Sequence, residues 1–191
     1  MRVSREAAAE TKARVVAVAA KMLRERGFDA ASIAEVMHAA GMTHGGFYKH
    51  FESKNDLLRA AVRSSFDEVV DRFDRRKAKS GHDAAVAAYV REYLSSRHVA
   101  EPGRGCPVAA LGADAGRQSD SFGSEFATGV EKLIERIGRV KNAKGDATAA
   151  RSTAIRALAQ MVGAVVVARA VGEISLRDEV LTACAEATPG R

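Results

Sequence analysis

Apolar residues recur at the spacing of one helix face along nearly the whole chain, and no segment alternates as a half-buried strand would. The first run, from Val15 to Leu23, stops naturally at Gly27. A second run is much longer and extends through Arg76. Its apolar stripe consists of Leu58, Val62, Phe66, Val69 and Phe73. The pattern predicts an all-α protein of about nine helices.

Two short helices are predicted between these runs. Ser32 stands three residues before Glu35, the spacing of a capping box, and Gly41 closes this helix. Thr43 can cap a third helix that runs to about His50, and Ser53 opens the long fourth one. Short helices joined by tight turns and followed by a long helix are typical of a helix-turn-helix domain. We therefore expect a DNA-binding domain over 1–52 and a second domain over 53–191, connected by the helix 53–77.

The remaining helices follow a break at 77–81. A fifth helix should end near His98, and the Pro- and Gly-rich stretch 100–107 should be a loop that places Pro107 at the start of a sixth helix. The other expected elements are a helix over 122–137, a polar turn at 141–146, a helix pair at about 149–172 and 175–187, and disordered ends at the first few residues and 188–191.

The charge distribution favours an anionic partner at the first third of the chain. The 191 residues carry a net charge of +6, with 11 Lys+Arg against 7 Asp+Glu in residues 1–63 and 19 against 17 in the rest. The excess is denser where the helix-turn-helix is expected. An ordinary solvated charged surface remains the alternative.

The chain has no sign of export or of a membrane span. Its N-terminus lacks an apolar core of signal-peptide length. The apolar tract 157–171 contains Gln160 and Arg169 and is shorter than the roughly 20 residues that span a bilayer. Cys106 and Cys184 make neither a disulfide framework nor a metal cluster with His. We expect a cytoplasmic protein without cofactor, metal or membrane partner.

The segment GMTHGGFYKHFESK, residues 41–54, carries the clearest chemistry. Hydrogen-bond donors crowd onto about two helical turns, while Phe47 and Phe51 can anchor the segment in a core. Gly45 and Gly46 let the backbone approach DNA, although glycine inside a helix costs roughly 1 kcal/mol relative to Ala. The alternative is that both merely mark a loop. The donors are Thr43, His44, Tyr48, Lys49 and His50.

Residues 11–62 resemble the DNA-binding domain of TetR-family transcriptional regulators. The resemblance is carried by RERGFDAAS, AEVMHAAGMTHGGFYKHF and SKNDLLRAAV. It implies that Tyr48 and His50, in the pattern Tyr-x-His-Phe, hydrogen-bond DNA phosphates and that Lys54 adds a backbone contact. A hydroxyl, an imidazole and an ammonium can fix register in this way without reading sequence.

Further DNA contacts follow from the position of each side chain. Ser32, at the start of the second helix, should offer its hydroxyl and nearby N–H groups to a phosphate. Thr43, His44 and Lys49 are the candidates for base edges. The family more commonly has Thr at the position of Ser32 and Lys at that of His44, so the sequence preference stays open.

The resemblance implies that the C-terminal half binds a small molecule and forms a homodimer. Seven side chains could line an apolar cavity, although each could equally fill ordinary core. The helices near 149–172 and 175–187 could form a four-helix bundle between subunits, because the small residues of QMVGAVVVARAVG allow close approach. Arg169, within that segment, needs a partner. The cavity candidates are Phe66, Phe73, Tyr89, Tyr93, Phe122, Phe126 and Met161.

Cys106 is a candidate sensor. It lies between Gly105 and Pro107 at the expected start of a helix, with Arg104 adjacent, a setting that lowers a thiol pKa. The segment GRGCPVAAL also resembles the region of the sensing cysteine in some electrophile- and oxidant-responsive repressors of the family. The alternative is that the loop only starts a helix.

The sequence thus favours a ligand-responsive repressor that binds a pseudo-palindromic operator as a homodimer, with half-sites about 34 to 36 Å apart or somewhat more. A redox-sensing repressor through Cys106 is the first alternative. An enzyme with Cys106 as nucleophile and His98 as base is a distant one, since no orienting group or oxyanion site is visible. A constitutive DNA-binding protein is the third.

Overall fold

The protein is described by a computed structural model over residues 5–29, 32–118, 122–138 and 146–188, and within these ranges it contains helices and no strand. This confirms the all-α fold with an N-terminal helix-turn-helix domain and a helical C-terminal domain. The expected polar turn at 141–146 lies almost entirely outside the described residues. The α-helices are α1 (Arg5–Arg26), α2 (Ile33–Ala39), α3 (Lys54–Ser80), α4 (His82–Tyr93), α5 (Ser96–Ala100), α6 (Pro107–Ala115), α7 (Gly123–Ile137), α8 (Ala147–Ala170) and α9 (Ile174–Ala187), and the two 3₁₀ helices are His44–Lys49 and Pro102–Arg104.

The turn between α2 and the first 3₁₀ helix depends on Gly41. Its φ of +73° is a left-handed conformation that favours glycine. The N–H of Gly41 donates to the carbonyl of His38 at 2.9 Å, and the N–H of Met42 donates to that of Met37 at 2.8 Å. These two bonds satisfy the last carbonyls of α2 and reverse the chain. The sequence-based stop at Gly41 is confirmed.

The helix α3 runs through both domains. Its stripe of Leu58, Val62, Phe66, Val69 and Phe73 is buried, as the periodicity predicted. The break expected over 77–81 is confined to Gly81, whose φ is +81°, and the helix continues to Ser80. Lys and Ala favour a helix at 77–79, so only the glycine ends it.

The predicted fifth helix, to near His98, is two helices. The chain leaves α4 at Leu94, and the Ser95 hydroxyl then accepts the N–H of His98 at 3.2 Å to cap α5. Serine side chains favour such caps over helix interiors, which explains why the helix divides here. The expected loop at 100–107 contains a 3₁₀ turn, and Pro107 opens α6 as predicted.

The helices α8 and α9 pack together as a pair, with the Gln160 side-chain amide donating to the Cys184 carbonyl at 3.2 Å. At 24 residues and a mean hydropathy of 1.3 over its most apolar window, α8 is long and apolar enough to cross a membrane by length and composition. The argument from the sequence that the apolar tract 157–171 is too short to span a bilayer is therefore wrong, because the helix extends beyond that tract. Core helices of soluble proteins pass the same test, and α8 packs within the C-terminal domain.

A tight contact between α3 and α7 gives a stability prediction. A Cβ at Gly129 would lie 2.2 Å from the Phe66 ring, whereas a Cβ at Gly112 in α6 would meet its nearest neighbour at 3.8 Å. Gly129→Ala should destabilise the fold by about 2 kcal/mol, because the ring must move. Gly112→Ala, the matched control, should be neutral or stabilising by about 0.5 kcal/mol. Urea denaturation measures both, and equal effects would contradict the close packing of these helices.

Candidate nucleic-acid interface and ligand cavity

The segment that follows the turn is a 3₁₀ helix, His44–Lys49, and not the α-helix expected from Thr43 to His50. Two consecutive glycines favour a short irregular turn over an α-helix. Thr43 occupies the N-cap position, but its side chain makes no capping bond within the described chain, so the capping prediction is wrong. The Thr43 side chain is exposed, and its hydroxyl is not engaged by the helix that follows it.

Two buried phenylalanines hold this segment against the core of the helix-turn-helix domain. The rings of Phe47 and Phe51 are stacked with centroids 5.4 Å apart, and both side chains are buried. Tyr48 packs edge-on against Phe47 with centroids 5.1 Å apart and is 71% exposed. Because most of its side chain is exposed, Tyr48 contributes little to the core, and its hydroxyl is available for contact with a partner.

The other candidate DNA-binding residues of the segment are exposed or half-buried. Thr43, His44, Gly45 and Lys49 are exposed, and Gly46, His50 and Lys54 are half-buried. We call these eight residues of 43–54, Tyr48 included, the recognition surface. Sequence reasoning missed Lys12, whose ammonium lies 5.0 Å from the Phe51 centroid and adds a positive charge from α1. This contact is tertiary, so no local pattern in the sequence indicates it.

Ser32 is engaged by its own helix. Its hydroxyl donates to Glu35 Oε2 at 2.7 Å, its N–H donates to the same oxygen at 3.3 Å, and the N–H of Glu35 donates back to Ser32 Oγ at 3.2 Å. These bonds, with Arg26 3.5 Å away, lower the pKa of the Glu35 carboxyl. The capping box is confirmed. The hydroxyl, however, already has an acceptor, and a phosphate would have to replace Glu35.

A cavity of about 290 Å³ lies in the C-terminal domain, between α3, α4, α5 and the second 3₁₀ helix. Three of the seven cavity candidates line it, Phe73, Tyr89 and Tyr93, and so does the candidate sensor Cys106. The rest of the lining mixes apolar and charged side chains. It comprises Val69, Arg72, Arg76, Glu92, Ser95, Arg97, His98, Glu101, Arg104 and Gly105.

The other four sequence candidates lie away from this cavity. Phe66 packs edge-on against Phe126, with centroids 5.2 Å apart, beside a shallower depression of about 250 Å³. Phe122 stacks on Phe28 of the helix-turn-helix domain at 4.9 Å and so joins the two domains. Met161 is completely buried in the core. Their apolar periodicity reflects packing, which the sequence cannot separate from cavity lining.

Tyr89 and Tyr93 line the cavity, and their hydroxyl groups are buried. Tyr89 and Tyr93 are buried, with ring centroids 5.5 Å apart. Their hydroxyls lie near the Cys106 thiol but make no well-formed hydrogen bond with any described residue. Burial, and to a lesser extent the nearby thiol, raises the pKa of both tyrosines, so they stay neutral donors.

His98 and Cys106 are joined through the backbone. His98 Nδ1 lies 2.7 Å from the Tyr93 carbonyl oxygen, and the N–H of Cys106 donates to His98 Nε2 at 3.0 Å. These partners assign a neutral ring with its proton on Nδ1, and burial lowers the pKa of His98 accordingly. Both ring nitrogens are occupied, which leaves neither to act as a base on the thiol.

The prediction of a lowered thiol pKa at Cys106 is wrong. Burial raises the pKa of this thiol, and this outweighs the opposing effects of the Tyr93 and Tyr89 hydroxyls and the N–H groups of Val108 and Ala109. Arg104 is exposed, whereas the cysteine is buried. A buried, protonated thiol is a poor nucleophile.

Charged side chains form the rim of the cavity. Arg72 binds Glu92 at 2.9 Å, and Arg76 makes a second ion pair with the same carboxylate. Although burial opposes it, these arginines lower the pKa of Glu92. Arg97 pairs with Glu101 at 3.3 Å, and Arg104 has no ion pair with any described residue. The cavity lining therefore carries four arginines against two glutamates.

The model of the family described as bacterial regulatory proteins, tetR family, matches residues 15–61, the region that contains α2 and most of the recognition surface. Residues 15–61 are thus a TetR-family DNA-binding domain. It is 36% identical over 78 residues to the HTH-type transcriptional regulator CymR of Pseudomonas putida, covering 41% of this chain and 38% of that protein. It is 32% identical over 111 residues to the regulator Rv0196 of Mycobacterium tuberculosis, covering 56% and 54%. The matches thus span about two fifths to half of these relatives.

Solved structures of TetR regulators share the fold over the whole chain. A TetR transcriptional regulator from Chloroflexus aurantiacus superposes with a TM-score of 0.73 and 26% identity, covering 94% of each chain. The reduced form of NemR from Escherichia coli gives a TM-score of 0.73 at 19% identity, covering 94% of this chain and 95% of that one. The C-terminal domain therefore has a TetR-like architecture, although its sequence diverges.

In the C-terminal domain, Arg169 of α8 holds the wall of the cavity. Its guanidinium donates to the carbonyls of His98 at 2.8 Å, Ala109 at 3.2 Å and Val99 at 3.3 Å. The partner that the sequence led us to expect for this half-buried charge is thus a set of backbone oxygens on α5 and α6. Burial lowers the pKa of Arg169, which nevertheless remains charged.

The same wall touches the helix-turn-helix domain. A Cβ on Gly103, in the second 3₁₀ helix, would lie 2.5 Å from Glu25 Oε1 and 2.8 Å from Glu25 Cγ, so the backbone there packs directly against α1. Nearby, the buried Arg24 of α1 donates to Glu68 of α3 at 2.7 Å. We call residues 96–106 the wall segment. It contacts the cavity on one side and α1 on the other.

Removing the Arg169 guanidinium should be costly. Arg169→Met leaves three carbonyls without their donor, and we expect a loss of about 3 kcal/mol in the free energy of unfolding. Arg117→Met, at an exposed position after α6, is the control: its guanidinium binds only Asp114, three residues earlier, at 2.9 Å, so the loss should be below about 0.5 kcal/mol. Urea denaturation at one fixed protein concentration compares them. Similar losses for both variants would show that Arg169 does not hold the wall.

Proposed function

We propose that this chain is a cytoplasmic, ligand-responsive transcriptional repressor, not an enzyme, that binds a pseudo-palindromic operator as a homodimer. In this proposal residues 1–52 bind DNA, and 53–191 bind the effector and the second subunit. The observation that carries it is the recognition surface, where an exposed tyrosine and several cationic or polar side chains follow the tight turn of a helix-turn-helix. Family membership supports the same conclusion.

Each residue of the recognition surface receives a role from its chemistry and exposure. Tyr48, His50 and Lys54 contact phosphates and fix the register of the protein on the duplex. Thr43, His44 and Lys49 are exposed and approach base edges in the major groove. A Cβ at Gly45 would meet nothing within 4 Å, which leaves this backbone open to DNA. Ser32 and Gly46 lie beside these groups as secondary contacts.

The dimer is proposed to form through α8 and α9, where a protomer leaves apolar side chains uncovered. On α8 the exposed side chains fall on one face at helical spacing. Large exposed side chains include Ile155, which is 42% exposed, and Val166, which is 47% exposed, and Ile174 of α9 is 63% exposed. Burial of such a stripe against its copy stabilises a four-helix bundle. The face on α8 comprises Ile155, Ala159, Gly163, Val166 and Ala170.

The effector is proposed to act through the wall segment. A ligand in the cavity contacts this segment, which packs against Glu25 of α1 at Gly103. Displacement of the wall would shift α1 and thereby the distance between the two recognition surfaces of the dimer. Such a ligand favours the DNA-incompetent arrangement only if it binds that arrangement more tightly. The two buried hydroxyls without partners favour this reading over a constitutive DNA-binding protein, since they leave polar groups for a ligand to satisfy.

DNA binding can be tested with duplexes from the intergenic region upstream of the gene and of its neighbours. Lys49→Ala should weaken binding and reduce the slope of log affinity against log salt by about 1 if the ammonium also neutralises a phosphate. Tyr48→Phe should weaken binding at least about tenfold, the value of one hydrogen bond to a charged acceptor. Fluorescence anisotropy over a salt series measures both effects.

The control for this prediction is Lys132→Ala, which removes an exposed lysine of the C-terminal domain that pairs with Asp67 at 2.7 Å. Its affinity and salt slope should equal those of the wild type. If Lys49→Ala and Tyr48→Phe both match this control on a duplex that the wild type binds, the recognition surface does not contact DNA.

Dimerisation can be tested by placing a charge in the exposed stripe. Val166→Glu should convert the dimer to a monomer in sedimentation-velocity runs, because a buried carboxylate without a partner costs several kcal/mol. Ala127→Glu, at an exposed position on α7, should leave the dimer intact. Circular dichroism checks that both variants stay helical. A folded Val166→Glu dimer would place the interface elsewhere.

A further inference from the structure

We propose that the cavity takes a small organic anion with a flat apolar body: an oxygen at its inner end hydrogen-bonds the Tyr89 and Tyr93 hydroxyls, and a carboxylate at its outer end lies among the rim arginines. A para-hydroxylated aromatic acid has this arrangement of groups. The inference rests on the proposed function, since it names the class of effector that the regulator answers to.

The two buried hydroxyls of the cavity lining are the groups that a hydrogen-bonding ligand atom would satisfy. Tyr89 is 7% exposed and Tyr93 is 3% exposed, and neither hydroxyl has a well-formed partner among the described residues. Buried polar groups normally have partners, because an unsatisfied one loses its bond to water without compensation. Both phenols are neutral and donate as well as accept, so one ligand oxygen, hydroxyl or carbonyl, can satisfy them.

The aromatic side chains of the cavity lining form a rigid row. Phe73 packs edge-on against Tyr89 with centroids 6.0 Å apart, Tyr89 against Tyr93 at 5.5 Å, and Tyr93 against His98 at 4.5 Å. His98 is held in turn by its bonds to the Tyr93 carbonyl and to the Cys106 N–H. Rings fixed in this way favour a ligand with a flat apolar body. Because these side chains are already ordered, little side-chain entropy is lost when a ligand binds.

The rim selects the charge of the ligand. Arg72 and Arg76 share the single carboxylate of Glu92, which leaves one of the two positive charges uncompensated. Arg104 adds a second, since it has no ion pair among the described residues. A guanidinium recognises a carboxylate through paired N–H donors and attracts it more strongly than a neutral amide. The rim therefore favours an acid over its uncharged analogue.

The size of the cavity limits the ligand to a small molecule. Its volume of about 290 Å³ is at the lower end of the range for ligand pockets, roughly 300 to 1,000 Å³. A single ring with one short polar group at each end fits such a space, and a polycyclic drug does not. This excludes large multidrug ligands as occupants of the cavity in the described conformation.

The test uses calorimetric titration of the full-length protein with three matched compounds: para-hydroxybenzoate, its neutral amide and benzoate. The acid should bind at least about tenfold more tightly than the amide, because a charged hydrogen bond to arginine is lost in the amide. It should also bind about fivefold more tightly than benzoate, which lacks the inner oxygen.

Two variants assign these preferences to the two ends of the cavity. Tyr93→Phe should remove most of the preference for para-hydroxybenzoate over benzoate and keep that for the acid over the amide. Arg104→Gln should weaken the preference for the acid over the amide and keep that for the hydroxyl. Arg91→Gln, at an exposed position of α4 outside the lining, is the matched control and should change neither. Thermal unfolding without ligand checks that each variant folds.

The outcomes separate this inference from the proposed function. Equal affinity for the acid and the amide, or no binding of either acid, overturns the ligand class. An exchange of the two variants' effects overturns the orientation of the ligand. Both conclusions hold whether or not the protein binds its operator. Binding with the expected preferences, joined to release of operator DNA in anisotropy, supports both proposals. The same binding without any effect on a bound operator supports the ligand class and contradicts the effector response.

Discussion

The burial of one continuous stripe along α3 is the constraint on which the rest of the structure depends. This helix has 27 residues and a length of about 40 Å. Leu57 and Leu58 at its start belong to the core of the helix-turn-helix domain, and Phe73 near its end lines the cavity. Because a helix of this length bends little, the recognition surface and the cavity are held at opposite ends of a stiff element. A change at one end can reach the other only by moving the helices packed against it.

The wall segment is the place where such movement can be transmitted. Three features meet within its eleven residues: the cavity lining at Arg97 to Cys106, two of the three carbonyls bound by Arg169, and the close approach of Gly103 to Glu25. The guanidinium of Arg169 ties the segment to α8, which carries the proposed dimer stripe. The cavity, the proposed dimer stripe and the DNA-binding domain are thus connected through one short piece of backbone. In the proposed mechanism, a ligand in the cavity reaches α1 through this segment.

Periodicity and capping rules account for most of the fold, because long amphipathic runs and glycine stops are local properties. The helices α3 and α7 and the turn at Gly41 follow from them directly. They fail at Phe122, where a tertiary contact places the ring on Phe28 and not in the cavity. They also fail at Ser95, where a local cap divides a helix that its apolar pattern made continuous. Local charge beside Cys106 suggested a reactive thiol, but burial, which the sequence does not show, determines its pKa. The rim arginines escaped notice because only the fold brings α3, α5 and the second 3₁₀ helix together.

Hydrogen exchange read by mass spectrometry, on the protein alone and bound to its operator duplex, tests the central claim most directly. The claim is that DNA binding at the recognition surface is coupled to the cavity wall through α1. It predicts protection of peptides that cover 43–54 on DNA binding, together with altered exchange in the wall segment, which lies in the other domain and touches no DNA. Protection confined to 43–54 would contradict the coupling, and the absence of protection there would contradict the assignment of the recognition surface itself.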